Sequence, residues 1–373
     1  MLNSPPDAID TSLVRRVLLT KLRHHGDVLL ASPAFTVLRH ALPGAEIDAL
    51  VYRETACMLE GHPAIAHLHT IDREWKRSGM WRQARAERAL LHALSDRRFD
   101  LIVHLTEHPR GAWLARLLRP RYAVARELPA AHWLWRTSFT HYYRLPRARP
   151  RHTVECNLDA LRRLGLRPTD SDRALVLVPG KGERARAKAL ITEHRLEPRR
   201  FIVLHPGSRW LFKTWTPERY AALIERIVSD GWRLVLTGAP DPRERELVAA
   251  TLSPLSTRAR SALADLSGQL TLRELAALIG EARAFVGVDS APMHIAAAMQ
   301  VPVVALFGPS GEIEWGPWRV AHRIVASSAH PCRPCGIDGC GGGKLSECLS
   351  TLPAERVYGA LCEILGETGS ASP

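Results

Sequence analysis

An acid, a hydroxyl and an imidazole fall within six residues at Asp289, Ser290 and His294, directly after the apolar run Phe285 to Val288. The run is broken at Asp289-Ser290-Ala291-Pro292. A small-residue segment, Met293 to Met299, and a second apolar run, Val301 to Phe307, follow, so the stretch reads as strand, turn, helix and strand. Asp289 or Ser290 can cap such a helix, and Pro292 suits its first turn. A helix N-terminus at the carboxyl edge of a parallel sheet holds an anion well, because its unpaired N–H groups and the helix dipole act together. An ordinary βαβ unit would account for any one of these residues. Their combination points to a nucleotide or sugar-phosphate pocket.

Two other stretches offer complementary chemistry. After the strand-like Phe201 to His205, the turn Pro206-Gly207-Ser208-Arg209 and then Lys213 supply backbone N–H groups, a hydroxyl and two cations, a set suited to a diphosphate. The GxxxxGK[ST] order of a Walker loop is absent. Near the start of the chain, Lys21-Leu22-Arg23-His24-His25-Gly26-Asp27 sets a carboxylate among basic residues, where it could act as a general base. A helix-capping Asp27 is the plainer alternative. The single glycine of this turn does not make the GxGxxG fingerprint, which disfavours a dinucleotide enzyme. Gly238 to Glu246 adds acids after a strand, where other nucleotide folds hold ribose hydroxyls, although acids at a helix start are commonplace.

Four of the seven cysteines, Cys332, Cys335, Cys340 and Cys348, fall within 17 residues. In a chain without a secretory leader this favours metal over disulfides, and a structural zinc could knit the Gly-rich loop 330–348. Reduced thiols are the alternative. Cys57, Cys156 and Cys362 stand alone and are expected to be buried packing residues.

The elements that must position these groups follow an alternating α/β rhythm. With 373 residues, two domains are expected. Residues 1–13 read as a flexible leader and 14–175 as an N-terminal domain. That domain has strands at Val14 to Leu22, Ala45 to Tyr52 and Phe99 to Leu105, and helices at Val28 to Ala41, 80–96 and His152 to Leu166. Residues 176–199 read as a linker and 200–352 as a C-terminal domain with helices at 217–230 and 269–279 and a strand at Trp232 to Thr237. Residues 353–373 read as a helix and tail. No apolar run approaches the roughly 20 residues that span a bilayer, and the N-terminus lacks a signal peptide's apolar core, so a cytoplasmic location is expected.

The net charge of +13 suits nucleic acid, anionic lipid or phosphorylated substrates. Its arginine clusters, Arg15-Arg16, Arg97-Arg98, Arg147 to Arg151 and Arg195 to Arg200, are scattered, and no basic helix or RNA-binding signature accompanies them. Residues 106–150 gather Trp113, His132, Trp133, Trp135, His141, Tyr142 and Tyr143 among arginines. Such material lines a sugar cleft, lies against lipid headgroups, or packs a domain edge.

KLRHHGDVLLASPAF from Lys21, HPGSRWLFKTW from His205, and VDSAPMHIAAA with VALFGP resemble the ADP-heptose:lipopolysaccharide heptosyltransferases, glycosyltransferase family 9, most of all their heptosyltransferase III type. The resemblance covers residues 14–365. It implies a GT-B fold, two Rossmann-like domains facing each other across a cleft, acceptor side N-terminal and donor side C-terminal. The last helix, Pro353 to Leu365, would pack back on the N-terminal domain. It also implies an inverting transfer of heptose from ADP-L-glycero-D-manno-heptose to the lipopolysaccharide inner core, with no cofactor needed for catalysis and zinc, if present, only structural.

Asp27 is then the base, with Lys21, Arg23, His24 and His25 on the acceptor side. Ser208, Arg209 and Lys213 meet the donor diphosphate, and Glu244, with Glu246 as its neighbour, meets the nucleoside. Asp289, Ser290, Ala291, Met293 and His294 complete the donor site. Many relatives carry Thr-Gly after the motif acid where this chain has Ser290-Ala291-Pro292, which alters backbone contacts there. A monomer, peripheral on the inner face of the inner membrane and binding no nucleic acid, is expected. The competing readings are a GT-B transferase using another nucleotide sugar, a basic zinc-loop module for nucleic acid, and a non-catalytic sugar-binding homologue. Intact Asp27 and Lys213 argue against the last.

Overall fold

Short apolar runs alternating with amphipathic stretches form parallel strands joined by crossover helices, because a parallel pair needs a long connection and buries both its faces. The structure, a computed structural model, describes residues 5, 7–77, 79–145 and 150–369. Arg147 and Arg149 lie outside the described residues. The chain divides into two compact units that part between Val178 and Pro179.

In the first unit the order is β1 (Arg16–Thr20), α1 (His25–Leu29), α2 (Ser32–Ala41), β2 (Glu46–Tyr52), β3 (His67–Ile71), α3 (Met80–Asp96) and β4 (Leu101–His104). Then come α4 (Arg110–Leu118), β5 (Tyr122–Arg126), α5 (Trp133–Arg136), β6 (His141–Tyr143) and α6 (Thr153–Arg163). The strands form one parallel sheet in the order β3-β2-β1-β4-β5-β6. The helix expected over Val28 to Ala41 is two helices, broken at Leu30-Ala31. Pro33, which donates no backbone hydrogen bond, sits in the first turn of α2.

The second unit begins with α7 (Lys181–Glu193) and continues β7 (Phe201–His205), α8 (Pro217–Ser229), β8 (Arg233–Leu236), α9 (Pro242–Leu252), α10 (Thr257–Ala262), β9 (Leu263–Asp265) and α11 (Leu272–Ile279). There follow β10 (Ala284–Val288), α12 (Ala291–Ala298), β11 (Val303–Phe307), α13 (Glu312–Trp315), β12 (His322–Ala326), α14 (Glu347–Ser350) and α15 (Ala354–Gly369). Its parallel sheet runs β12-β11-β10-β7-β8-β9. Renumbered from its first strand, this is the order of the first sheet read from the opposite edge. Both are Rossmann orders, which reverse direction between β1 and β4 and between β7 and β10, the places where such sheets bind ligands.

Two boundary expectations change. The described part of the leader is tied down: Ile9 is buried and donates its N–H to Leu164 O, and Asp7 pairs with Arg163. The region taken as a linker contains α7, which packs on α11 through Ala187, Leu190 and Ile191. The cations and acids on its outer side masked that narrow apolar stripe in the sequence. The terminal helix α15 is built into the second unit's core, with Val357, Leu361 and Ile364 buried among residues of α8, β10 and β11.

Leu361 is 1% exposed within that core. Leu361→Ala should therefore cost about 2–5 kcal/mol, read as a lowered urea midpoint at unchanged slope. A loss below about 1 kcal/mol would detach α15 from the core.

Candidate active site

Parallel register sets the geometry at the carboxyl edge of the second sheet. His205 of β7 lies beside Gly287 of β10, so the turns beginning at Pro206 and Asp289 leave the sheet at the same level on its carboxyl edge. Tyr220 fixes the first turn from below, its hydroxyl donating to Pro206 O at 3.2 Å. Ser208 is buried, and its hydroxyl accepts from Trp210 N at 3.3 Å. Arg209 is exposed, with its guanidinium 5.5 Å from the Trp210 ring centre. The chain then makes a single 3-10 turn, Leu211–Lys213. Lys213 Nζ ends 2.6 Å from Asp289 Oδ2, which joins the two motifs in one ion pair.

Asp289 is buried behind this pair, and Ser290 is the N-cap of α12. Ser290 makes no side-chain capping bond, so the expected cap is positional only, and Pro292 occupies the first turn as expected. Ala291 opens the helix, while Met293 and His294 on the same turn are buried.

Glu244 completes this edge from α9. It is 5% exposed, and its Oε2 accepts from Ala239 N at 2.8 Å. Burial pushes the Glu244 carboxyl above its ordinary range, against the pull of that N–H. Glycine at 207 makes the room: a Cβ there would stand 2.1 Å from Glu244 Oε2. His205 lies 3.8 Å from the same oxygen, bonds Thr237 Oγ1 at 2.9 Å through Nδ1, and is driven by burial to about 4, so it is neutral at pH 7. Glu246, the other acid considered, is exposed two residues further along the helix and has no part in this arrangement.

In the first unit Asp27 stands in the first turn of α1, half-buried. The N-cap of α1 is His24, so Asp27 does not cap the helix. Among the described residues its carboxylate makes no hydrogen bond or ion pair, though it feels the charge of Lys21. Lys21 is buried rather than offered to solvent, donating to Leu105 O at 3.1 Å and Asn157 Oδ1 at 2.9 Å. Burial lowers its ammonium to about 8, with Asp27 opposing. Arg23 is exposed, and His25 Nε2 lies 2.8 Å from Glu54 O. Asn157 was missed by sequence reasoning. It holds Lys21 on one side and, through Nδ2, the carbonyl of Leu30 at the end of α1 on the other, at 3.0 Å. A polar residue within the apolar stripe Val154, Leu158 and Leu161 of α6 was its signal.

The cysteine-rich loop is organised differently from the zinc knuckle considered above. Among the described residues no three His, Cys, Asp or Glu side chains gather closely enough to hold a metal ion. Cys332, Cys335 and Cys340 are exposed, and Cys348 is buried beside Gly308. Arg333 does the knitting. Its nearly buried guanidinium donates to Gly308 O, Ser327 O and the Glu312 carboxylate at 2.8, 3.2 and 3.1 Å. Ser346 then donates to Phe212 O at 2.5 Å, bracing the turn that presents Lys213. Of the lone cysteines, Cys57 and Cys156 are half-buried and Cys362 is exposed, so none is the buried packing residue expected.

The sequence profile described as Glycosyltransferase family 9 (heptosyltransferase) matches residues 87–344. The chain belongs to glycosyltransferase family 9. It is 33% identical over 350 residues to lipopolysaccharide heptosyltransferase 3 of Escherichia coli K12, covering 93% of this chain and 97% of that one. Among solved structures it resembles a family 9 glycosyltransferase from Veillonella parvula, with TM-score 0.79, 25% identity, and coverage of 95% and 97% of the two chains. It also shares the fold of an E. coli heptosyltransferase solved with ADP, with TM-score 0.70, 20% identity, and coverage of 94% and 99%. As a family 9 protein it is a glycosyltransferase of the α/β class with the paired Rossmann units of GT-B.

The contact between position 207 and Glu244 is directly testable. Gly207→Ala should cost about 1–3 kcal/mol by displacing the buried carboxylate. Adding Glu244→Ala should recover part of that loss, giving a favourable coupling in a double-mutant cycle followed by urea unfolding. Strict additivity would mean the two positions do not touch.

Proposed function

We propose that this glycosyltransferase moves heptose from ADP-L-glycero-D-manno-heptose to the inner core of lipopolysaccharide, as a heptosyltransferase III-type enzyme. The observation that carries the reading is the joining of Lys213 and Asp289 beside the start of α12, at the reversal point between β7 and β10. The identity to lipopolysaccharide heptosyltransferase 3 over nearly the whole chain supports the donor and acceptor class.

In this reading Asp27 accepts the proton of an acceptor hydroxyl. The hydroxyl oxygen attacks the anomeric carbon of heptose from the face opposite the diphosphate, forming the new glycosidic bond. The bond from that carbon to the β-phosphate oxygen breaks, and its electron pair leaves with ADP. The configuration therefore inverts. Lys213, Arg209 and the first turn of α12 stabilise the charge that develops on the leaving diphosphate, an effect strongest where the donors are already in place. Asp289 already holds Lys213 and is suited to sugar hydroxyls rather than to phosphate. Glu244 takes the nucleoside. Lys21, held by Asn157, stays close enough to Asp27 for their charges to interact. Arg23, His24 and His25 face the acceptor. The enzyme acts as a monomer at the inner face of the inner membrane, where its phosphorylated, lipid-linked acceptor is made. Among the described residues no helix is long and apolar enough to cross a membrane.

The first test is ADP release from ADP-heptose with purified deep-rough core acceptors. Asp27→Ala should lower kcat by about a hundredfold or more while ADP still binds. Unchanged turnover would remove Asp27 as the base. Lys213→Ala should also reduce kcat about a hundredfold. Tight ADP binding without turnover on any core acceptor would redirect the assignment to another nucleotide sugar.

A further inference from the structure

Among the described residues, half of the ten exposed large apolar side chains, Met80, Trp81, Trp113, Leu117 and Trp133, lie on α3, α4 and α5 of the first unit. These helices are neighbours. Arg110 at the start of α4 makes a two-pronged pair with Glu87 of α3. Arg116, on the other flank of α4, donates to Ser138 Oγ at 2.8 Å and Thr137 Oγ1 at 2.5 Å just beyond α5, and lies 5.2 Å over the Trp133 ring. The buried side of α4 is Gly111, Ala112, Leu114 and Ala115, which turns Trp113 and Leu117 outward between the two arginines. On α3, Trp81, Arg85 and Arg88 recur at helical spacing along one exposed face.

The charge on this layer is one-sided. Arg82, Arg85, Arg88 and Arg136 are exposed, and their side chains have no hydrogen bond or ion pair among the described residues. The acids nearby are engaged, Glu87 with Arg110 and Asp96 with His92. By contrast Trp135 and Phe139 of the same aromatic stretch are buried in the core, so packing accounts for those residues and not for the exposed tryptophans. Amphipathic indoles with unpaired guanidinium groups beside them match the interfacial zone of a bilayer that carries negative lipid.

We infer that the α3–α4–α5 layer of the first unit docks on an anionic phospholipid surface, with Trp81, Trp113 and Trp133 entering the headgroup region and Arg82, Arg85, Arg88 and Arg136 meeting lipid phosphates. This rests on the reading of a lipid-linked acceptor and says which surface meets the membrane. Parallel topology gives it a use: α3 and α4 both start after strands ending at the carboxyl edge, the edge that also bears Asp27. Docking by this layer brings the proposed base toward the headgroups among which the acceptor sugars stand.

The test is co-sedimentation of the full chain with vesicles of phosphatidylglycerol and phosphatidylcholine, against phosphatidylcholine alone. Binding should require phosphatidylglycerol and weaken as salt rises. The triple change Arg82→Gln, Arg85→Gln, Arg88→Gln should weaken it on the order of a hundredfold. Trp81→Ala, Trp113→Ala and Trp133→Ala together should weaken it at least about tenfold and abolish the quenching of tryptophan emission by brominated lipid, with circular dichroism unchanged. No binding by the wild-type chain, or binding by both triple variants as tight as wild type, overturns the inference. Transfer to a deacylated, water-soluble core acceptor separates the two readings. Activity kept there by the tryptophan variant leaves docking to the vesicle result, whereas no wild-type activity on either acceptor form refutes the transferase assignment alone.

Discussion

Because His205 pairs with Gly287, the loops that follow β7 and β10 emerge side by side, and everything on that carboxyl edge depends on the register. A slip of one residue would turn every side chain of one strand to the opposite face. Lys213 would then lose its reach to Asp289, and Gly207 would no longer stand against Glu244. The surrounding contacts serve to hold this alignment. Tyr220 fastens Pro206, Thr237 fastens His205, and Ser346 fastens Phe212. The ion pair is thus the outcome of strand pairing and three polar ties.

Much of this was legible in the sequence, and the reason is physical. Strands buried on both faces are short uninterrupted apolar runs, so FIVLH and FVGV announced β7 and β10, and the residues after them had to lie on the carboxyl edge. The edge strands were less visible. β3 reads HLHTI and β12 reads HRIVA, sequences whose partial exposure admits histidine and arginine. α7 was hidden for a related reason, since three apolar positions suffice to seat it on α11. Side-chain commitments were legible least. Nothing in the order Lys21 to Asp27 says that the lysine is buried on Asn157, more than a hundred residues away in sequence, or that His24 rather than Asp27 begins the helix.

The cysteine-rich loop shows how a correct premise led to the wrong agent. A segment with so many glycines and so few apolar side chains does need a cross-link to hold its shape. The spacing of the thiols suggested a metal, but a single guanidinium with two carbonyl oxygens and a carboxylate meets the same need. Arginine's planar fork spreads its donors over acceptors on several sides, whereas a lysine offers its three from a single point.

The two sheets share one strand order, yet the corresponding addresses carry different chemistry. After β1 stands a carboxylate, and after β7 a cation. The partners that fix each group belong to its own half of the chain: Leu105 and Asn157 for Lys21, Asp289 for Lys213. Heredity can therefore edit one half without reopening the other. Substitutions before Val178 can accumulate while the ion pair of the second unit stays intact, and such modular divergence lets one scaffold diversify one half at a time.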